Sequence, residues 1–351
     1  LSTGAAAAIA PAVASSPATA ASVPAMPRII DVHAHAILRS WYDWIVRKNA
    51  PNPPRMEGGV AVPEWSPRMA IDLMDANGIE AMILSNAIGT KDMTKQEAVP
   101  LARTMNEELA ELIRTHPKRF GAFAVLPLQD PDASVRELVY ALDTLGFDGV
   151  CIPTSVDGAY PGDPRFEPIF AELDRRRATA FVHPHAPAYT SQIDIPVIPG
   201  MIEFVFDSTR ALTSLVCSGI RRRYRNFNYI ATHGGGTLPF VADRIAYVAG
   251  LGTGYRVPLT YDEVMEDLKS IHYDLAITTS RPALVSLREF VPVSQILFGF
   301  DFPFVSGRTV APAIKHIATS GVFSEAELAT IATDNALRLL PGYAARRAKP
   351  A

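Results

Sequence analysis

Two histidines separated by one residue end a short apolar stretch near the start of the chain. His33 and His35 follow residues 28–32, Arg-Ile-Ile-Asp-Val. In a β-strand the side chains at positions i and i+2 point to the same face, so both imidazoles would lie together at the end of a strand. Such a pair supplies half of a metal site. The alternative is that one histidine packs in the core while the other ends a turn, and the pair by itself does not decide between the two.

Other metal-ligating side chains follow further apolar stretches that we predict to be strands. His183, His233 and Asp301 each come directly after such a stretch or within a few residues of it. Three or four imidazoles and one carboxylate from separate strands suit a divalent cation with a position open to a water or a substrate oxygen. The remaining histidines, apart from His185, lie on predicted helices or at the start of a strand: His116, His316 and His272.

The predicted secondary structure alternates between strands and helices. A helix follows each predicted strand, and the strands cover residues 28–35, 80–84, 120–126, 150–153, 179–182, 227–231, 271–276 and 295–298. This is the pattern of an α/β fold of the (β/α)8, or TIM-barrel, type, in which catalytic residues lie at the C-terminal ends of the strands. An open, doubly wound parallel sheet is the alternative. Two long stretches without a regular period, 36–65 and 186–199, are expected to be loops that cover the site.

The composition is that of a folded chain with a large core. Of 351 residues, 48% are hydrophobic, and 33 basic residues against 36 acidic ones give a formal net charge of −3. This charge argues against a nucleic-acid partner. Two basic clusters, 175–177 and 221–225, are interpreted as solvated helix ends. The two cysteines, Cys151 and Cys217, exclude a disulfide framework, and Cys151 is predicted to be a small core residue.

Residues 1–25 differ from the rest of the chain, because they are rich in Ala, Ser, Thr, Pro and Val and carry no charge. They resemble the apolar and cleavage regions of an export signal, and the first few look like the part of a twin-arginine signal that follows its arginines. We therefore expect export to the periplasm, with a linker on a cytoplasmic protein as the alternative. Residues 26–351 are predicted to form one barrel domain. No later stretch reaches the roughly 20 uninterrupted apolar residues of a membrane span.

Several motifs carry a resemblance to the amidohydrolase superfamily. They are the Asp-x-His-x-His run of residues 31–35, the strand-end His183, the His-Gly-Gly-Gly motif of 233–236 and the Phe-Gly-Phe-Asp-Phe-Pro motif of 298–303. Within the superfamily, the chain resembles the metal-dependent, non-oxidative decarboxylases of the aminocarboxymuconate semialdehyde and γ-resorcylate type. Segments 63–66 and 204–210 are similar to those of methylsalicylate decarboxylase-like members.

The resemblance implies a ligand set for one divalent ion: His33, His35, His183 and Asp301. The ion would be zinc, with manganese as the alternative, and a second ion is not expected because strands three and four end without a lysine. The resemblance also implies that His233 is a catalytic histidine beside the ligands and that Asp301 shuttles a proton. Arg244 matches an arginine that in the family reaches across a dimer interface toward a substrate carboxylate, which implies a homodimer.

Other candidates carry open alternatives. Asp207 and Arg210 are assigned to substrate binding by the resemblance, or they pair with each other one helical turn apart. His185 is an additional histidine that contacts the substrate, lies beside the metal ligands or forms a turn. A second substrate-binding arginine of the muconate enzyme has only loose counterparts here, Arg55 and Arg68.

Two further groups of residues have both a functional and a structural interpretation. The tryptophans Trp41, Trp44 and Trp65 wall an aromatic substrate or anchor their loop to the barrel. The glycines of residues 234–236 bring backbone close to the pocket or bind an anion through their N–H groups.

The predicted activity is that of a carboxy-lyase acting on an aromatic or unsaturated carboxylic acid. Asp301 would protonate the carbon that bears the carboxylate, and loss of CO₂ would restore conjugation. The alternative is a hydrolase of a lactone, ester or amide, which would use the same residues, so the ligand set does not separate the two. A catalytically silent metal-binding protein is a third class, and it gives no reason for His233 and Asp301 to occur together.

Overall fold

The computed structural model describes residues 28–350, apart from residues 87, 193–194 and 253–256. The leader predicted for residues 1–25 lies outside the described residues. Within the described part of the chain, no helix combines the length and the apolarity that crossing a bilayer requires.

Eight parallel strands form a barrel in sequence order. They span Ile29–His35 (β1), Ile79–Ser85 (β2), Phe120–Val125 (β3), Gly149–Pro153 (β4), Thr179–His183 (β5), Asn228–Ala231 (β6), His272–Asp274 (β7) and Ile296–Leu297 (β8). The two edges meet, because the backbone N–H groups of Val32 and His35 donate to the carbonyl oxygens of Phe298 and Phe302 at 3.0 and 2.8 Å. The predicted (β/α)8 barrel is confirmed, and the open-sheet alternative is wrong.

Helices follow the strands and pack around the barrel. They span Arg39–Asn49 (α1), Pro67–Asn77 (α2), Lys95–Thr115 (α3), Pro131–Asp143 (α4), Glu167–Arg176 (α5), Glu203–Cys217 (α6), Ile220–Arg223 (α7), Leu238–Gly250 (α8), Tyr261–Lys269 (α9), Arg281–Phe290 (α10), Val310–Thr319 (α11), Glu325–Ala329 (α12), Asn335–Leu339 (α13) and Pro341–Ala348 (α14). Helix α2 begins where Ser66 Oγ accepts the Met69 N–H at 3.2 Å. It ends at Gly78, whose φ of 69° suits glycine.

The apolar core has two parts, one between the strands and the helices and a smaller one inside the barrel. The inner part includes Val32, Phe123 and Phe181. Cys151 also belongs to it, and burial raises the pKa of the Cys151 thiol to about 12. A thiol that stays protonated is not a nucleophile. The prediction that Cys151 is a core residue is confirmed.

Helices α13 and α14 close the N-terminal end of the barrel. Leu339, Leu340 and Tyr343 pack into the inner core. Directly before β4, the carboxylate of Asp148 is buried: its Oδ1 accepts the Tyr343 N–H at 2.5 Å, and its Oδ2 forms an ion pair with Arg346 at 2.7 Å. This end of the barrel is therefore sealed by both apolar and charged contacts.

Helix α1 lies within the region 36–65, which the sequence predicted to be a loop. That prediction is wrong for α1, because Trp41, Trp44 and Ile45 share one buried face of an amphipathic helix. Trp65 packs, partly buried, against the same core. The tryptophans thus anchor this region to the barrel, as one of the two interpretations expected.

The second basic cluster, 221–225, is not simply a solvated helix end. Arg221 is buried, and its guanidinium donates to the carbonyl oxygen of Phe227 at 2.8 Å and to Ser270 Oγ at 2.9 Å. The prediction is wrong for this residue because Arg221 satisfies buried backbone and hydroxyl oxygens where α7 meets β6.

Candidate metal centre

Four side chains from three strand ends converge inside the mouth of the barrel. His33 and His35 end β1, His183 ends β5, and Asp301 follows β8. One ligand atom from each lies within 4.8 Å of the others, and all four residues are buried. Asp301 Oδ1 lies 2.9 Å from His35 Nε2 and 3.4 Å from His33 Nε2. The chain can pass this close because residue 299 is glycine: a Cβ on Gly299 would lie 2.6 Å from the Cβ of His33.

Each of the three histidines uses Nδ1 for a second contact, which turns Nε2 toward the centre. These contacts join His33 to Asp274 Oδ2 at 2.9 Å, His35 to Ser85 Oγ at 2.8 Å and His183 to the carbonyl oxygen of Pro184 at 2.9 Å. Such partners fix the tautomer and ring orientation of metal-binding histidines. Neither Asp274 nor Ser85 was predicted from the sequence, although each ends a strand, β7 and β2 respectively, at the same face of the barrel as the histidines.

This donor set fits a divalent cation. Nε2 of His33 and Nε2 of His183 are buried without a hydrogen-bond partner among the described residues, a costly state that a cation relieves. Burial lowers the pKa of His35 to about 4. Burial and the neighbouring imidazoles also hold the pKa of His183 well below its usual value. Both histidines therefore offer the neutral imidazole that binds metals.

Two carboxylates favour positive charge at the centre. Burial by itself would lower the pKa of His33, but Asp274 and Asp301 raise it to about 10. Burial would raise the pKa of Asp301, but the charge of His33 and hydrogen bonds with His233 and His35 hold it well below its usual range. A cation among the ligands would supply the charge that these carboxylates stabilise.

His233 contacts the second oxygen of Asp301. Its Nε2 lies 3.4 Å from Asp301 Oδ2, and its backbone N–H donates to Asp274 Oδ1 at 3.0 Å. The φ angles of His233 and Asp301 are 54° and 63°, in a region that residues other than glycine rarely adopt. Residues held in this way cluster at functional sites. Asp274 therefore positions both His33 and His233.

The three glycines of residues 234–236 are explained by close packing. At Gly236, a Cβ would lie 2.0 Å from the carbonyl oxygen of Val205. The N–H groups of the last two glycines donate within their own turn, to the carbonyl oxygens of Thr232 and His233. Close packing against neighbouring elements therefore explains the glycines, and anion binding is wrong for these two N–H groups.

A cavity of about 610 Å³ runs from the centre to the surface. His183, His233 and Asp301 lie at its inner end, together with Phe204 and Phe304. The ring centroids of Phe204 and His183 are 6.1 Å apart. The centre therefore faces a space that takes a small molecule, with aromatic rings beside the polar groups.

Both stretches that were expected to cover the site contribute to the cavity walls. Residues between 44 and 63, including Trp44, line its outer part, as do residues 198 and 199. His185 lines it too, with Nε2 3.3 Å from the carbonyl oxygen of Ser155, and burial lowers the pKa of His185 to about 3. His185 is therefore a neutral cavity residue outside the ligand set.

Comparison of the sequence with known protein families identifies the family of this chain. Residues 30–342 match the family model described as amidohydrolase. The chain belongs to the amidohydrolase family. The resemblance inferred from the motifs is confirmed.

Relatives of this amidohydrolase include decarboxylases. Decarboxylase yanB of Aspergillus niger is 32% identical over 329 residues, which cover 90% of this chain and 88% of that protein. The 6-methylsalicylic acid decarboxylase of Penicillium expansum is 33% identical over 78% of this chain and 84% of that protein.

Solved structures share the fold of this amidohydrolase. An amidohydrolase II superposes with a TM-score of 0.81 at 27% identity, over 89% of this chain and 99% of that chain. A dihydroxybenzoic acid decarboxylase from Polaromonas, solved with bound manganese and the inhibitor 2-nitroresorcinol, superposes with a TM-score of 0.76 at 23% identity, over 92% and 98%. At 23% identity, the similarity to this decarboxylase structure shows a shared fold alone.

Two predicted substrate-binding residues on α6 of the amidohydrolase lie outside the described cavity lining. Asp207 is buried and accepts hydrogen bonds from Thr154 Oγ1 and, at 2.5 Å, from the Tyr160 hydroxyl. Arg210 is exposed, with its guanidinium 5.2 Å from the ring of Tyr189. No ion pair joins Asp207 to Arg210 in the described contacts, so the simple pairing is wrong. Their part in substrate binding stays a prediction.

Arg244 is exposed on α8, beside three exposed apolar side chains. Phe240, Tyr247 and Leu251 are 87%, 64% and 57% exposed, and their spacing places them on the same side of the helix as Arg244. Arg244 is absent from the described cavity lining. Its role toward a second protomer stays a prediction.

The two loose arginine candidates have different positions. Arg55 lines the cavity, where its Nη1 donates to the carbonyl oxygen of Gly59 at 2.7 Å. Arg68 is exposed on α2 and pairs with Asp72 at 2.8 Å. Of the two, Arg55 is the one that a substrate can reach.

Proposed function

We propose that this amidohydrolase is a metal-dependent, non-oxidative decarboxylase, a carboxy-lyase that acts on an aromatic carboxylic acid. The observation that carries the proposal is the buried set of three histidines and Asp301, with His233 against the second oxygen of that aspartate. Relatives that are 32% and 33% identical over most of the chain are decarboxylases. Phe204 and Phe304 beside the polar groups suit an aromatic ring.

We propose one zinc ion in this centre, with manganese as the alternative. His33, His35, His183 and Asp301 would hold it, and imidazole and carboxylate groups are common zinc ligands. The bound cation would stabilise negative charge on a substrate oxygen. Metal analysis of the purified protein distinguishes the two ions. His183→Ala should lower the metal content, and undiminished content would remove His183 from the ligand set.

Asp301 is the proposed proton donor. Its Oδ2 lies 3.4 Å from His233 Nε2, so the two residues can exchange a proton at the inner end of the cavity. In the proposed reaction, Asp301 gives its proton to the ring carbon that bears the substrate carboxylate. The bond to the carboxylate then breaks, its electron pair restores the aromatic ring, and CO₂ leaves. His233 then takes up a proton from solvent water and passes it to Asp301 for the next cycle.

A substrate panel tests the proposed reaction. Metal-loaded protein is given hydroxybenzoates, carboxyvanillate-like acids and lactones, and both CO₂ release and ester or lactone cleavage are followed. We expect CO₂ release from at least one aromatic acid. Turnover of lactones without CO₂ from any acid would contradict the proposal and favour the hydrolase alternative.

We also propose a homodimer in which Arg244 faces the substrate of the partner subunit. The exposed apolar side chains beside Arg244 on α8 support this assembly, because contiguous exposed apolar patches mark protein interfaces. Sedimentation velocity should give a dimer, and Arg244→Ala should raise KM for an acid substrate while the dimer persists. A monomer that still requires Arg244 for activity would contradict the assembly.

Export to the periplasm is a further proposal, supported by the charge-free composition of residues 1–25. Fractionation of cells that express the natural gene, followed by N-terminal sequencing, should find a shortened chain in the periplasm. A chain that retains residues 1–25 in the cytoplasm would contradict it.

A further inference from the structure

The outer part of the cavity differs in chemistry from its inner end. The inner end presents His183, His233 and Asp301, whereas the outer walls are mainly apolar. The outer side chains that matter here are Trp44, Ile45, Met56, Ile198, Met201 and Ile277. Such walls stabilise a ligand by removing apolar surface from water.

The charged side chains in these walls already have partners. Lys48 Nζ lies 3.1 Å from Asp92 Oδ2, and Lys91 Nζ lies 3.4 Å from Glu57 Oε1. Arg55 donates to a carbonyl oxygen of its own turn at 2.7 Å and has no carboxylate partner among the described contacts. Carboxylates thus pair with two of the three cations, and an uncharged substituent would leave these contacts undisturbed.

Three large apolar side chains stay exposed at the rim. Met201, Ile277 and Ile198 are 67%, 63% and 50% exposed although they line the cavity. Ile277 has a φ of 53°, which is unfavourable for a β-branched residue. The Thr278 N–H, which donates to the carbonyl oxygen of Leu275 at 3.0 Å, closes this turn. The fold thus holds an apolar side chain at the opening in spite of backbone strain.

The size of the cavity exceeds the needs of a simple hydroxybenzoate. Its volume of about 610 Å³ lies within the roughly 300–1,000 Å³ of pockets that take drug-sized ligands. A single aromatic ring at the inner end is much smaller than such a ligand. It would leave Ile198, Met201 and Ile277 in contact with water.

We propose that the substrate is an aromatic acid with an extended apolar substituent, such as an alkyl chain of several carbons. The carboxylated ring lies at the inner end, and the substituent packs against Ile198, Met201 and Ile277. This inference rests on the proposed decarboxylase function and narrows its substrate class.

A homologous series tests the inference, with 6-methyl-, 6-propyl- and 6-pentylsalicylate as ligands of the metal-loaded protein. Calorimetry gives the dissociation constant of each, and CO₂ release gives kcat/KM. Each methylene that leaves water should tighten binding about threefold to fourfold, so the pentyl compound should bind on the order of a hundredfold more tightly than the methyl compound. The same gain is expected in kcat/KM.

Two isoleucines of one segment provide a matched control. Ile198 and Ile195 are 50% and 44% exposed, and of the two only Ile198 lines the described cavity. Ile198→Ser should reduce the gain from the methyl to the pentyl compound severalfold, whereas Ile195→Ser should leave it unchanged. Equal effects of the two variants would overturn the inference.

The remaining outcomes separate this inference from the proposed function. CO₂ release from 6-methylsalicylate with no gain, or a loss, along the series would overturn the apolar subsite and leave the decarboxylase intact. Binding that tightens with chain length without any CO₂ release would support the subsite and contradict the decarboxylase. A preference for dicarboxylic acids that disappears in Arg55→Met would also overturn the subsite.

Discussion

Two buried carboxylates at opposite ends of the barrel have contrasting surroundings. At the closed end, Asp148 accepts a backbone N–H from Tyr343 and pairs with Arg346 at 2.7 Å. At the open end, Asp301 has imidazole nitrogens as its neighbours, with His35 at 2.9 Å. One carboxylate is held by a permanent cation and backbone, whereas the other is surrounded by groups that bind metals and carry protons.

The two ends of the barrel thus have different roles: the closed end stabilises the fold, and the open end holds the reactive groups. At the open end, Nε2 of His33, Nε2 of His183 and Nδ1 of His233 are buried without hydrogen-bond partners among the described residues. Unsatisfied buried polar atoms cost stability unless a ligand meets them. The closed end, where α13 and α14 fill the barrel, is the part that can offset that cost. Barrel enzymes in general divide these tasks between their two ends.

Asp301→Asn should produce the largest effect and test the open end. Loss of the proton donor and of a charged ligand should reduce kcat by roughly a thousandfold or more. The melting temperature of the metal-free protein should change little, because this carboxylate is not a partner of the closing helices. CO₂ release and a thermal melt measure the two quantities. Near-normal turnover in the variant would place the proton donor elsewhere.

Arg346→Met should give the opposite result. It leaves Asp148 buried without its cation, which should lower the free energy of unfolding by about 3 kcal/mol at pH 8, with kcat per folded molecule unchanged. Burial already raises the pKa of Asp148, and loss of the arginine raises it further. The deficit should therefore shrink at pH 5, where the variant takes up a proton on folding.

Urea titrations at the two pH values measure this deficit. Arg68→Met, which removes an exposed pair with Asp72, is the matched control and should cost less than about 1 kcal/mol. Equal costs for the two arginine variants would mean that the closed end is not the stabilising end.

Asp274→Asn should affect the open end without touching the metal directly. Asp274 positions His33 through Nδ1 and His233 through its backbone N–H. Loss of such a partner lowers metal affinity or activity about 10–100-fold. Competition with a chromogenic chelator measures the affinity. The exposed Asp243→Asn serves as control, and unchanged affinity in Asp274→Asn would contradict the positioning role.

The smallest effect concerns His272, at the start of β7 toward the closed end. Burial lowers its pKa to about 4, whereas an unfolded histidine titrates near about 6.5. Between about pH 4 and pH 6.5, His272 therefore binds a proton in the unfolded chain but not in the folded one. The free energy of unfolding consequently decreases as the pH falls through this range. From pH 7 to pH 5, wild type should lose roughly 2 kcal/mol more than His272→Leu. Parallel pH dependence of the two proteins would contradict this assignment.

The barrel and the convergence of the site residues could be predicted because both depend on local order in the sequence. Alternating strands and helices dictate a barrel, and the C-terminal ends of its strands meet at one face. Five side chains sit at or just beyond such ends, and the resemblance to the family separated the four candidate ligands from His233.

The partners that orient these ligands could not be predicted in the same way. Asp274 and His33 are 241 positions apart, and their contact depends on the register of β7 and on which way each side chain turns. Asp207 shows the same limit, since its neighbours along α6 suggested a pair with Arg210. Packing instead turned its carboxylate toward Thr154 and Tyr160.

The closure of the barrel determines when the metal centre can form during the synthesis of the chain. His35 and Asp301 are 266 positions apart in the chain, and they meet where the Asp301 N–H donates to the carbonyl oxygen of His33 at 2.7 Å. During synthesis, the centre cannot form until the last strand has left the ribosome and joined the first. A cation bound there would tie the two ends of the sheet together and stabilise the closed form by mass action. Uptake of metal by the chain would then report that the last strand has joined the first.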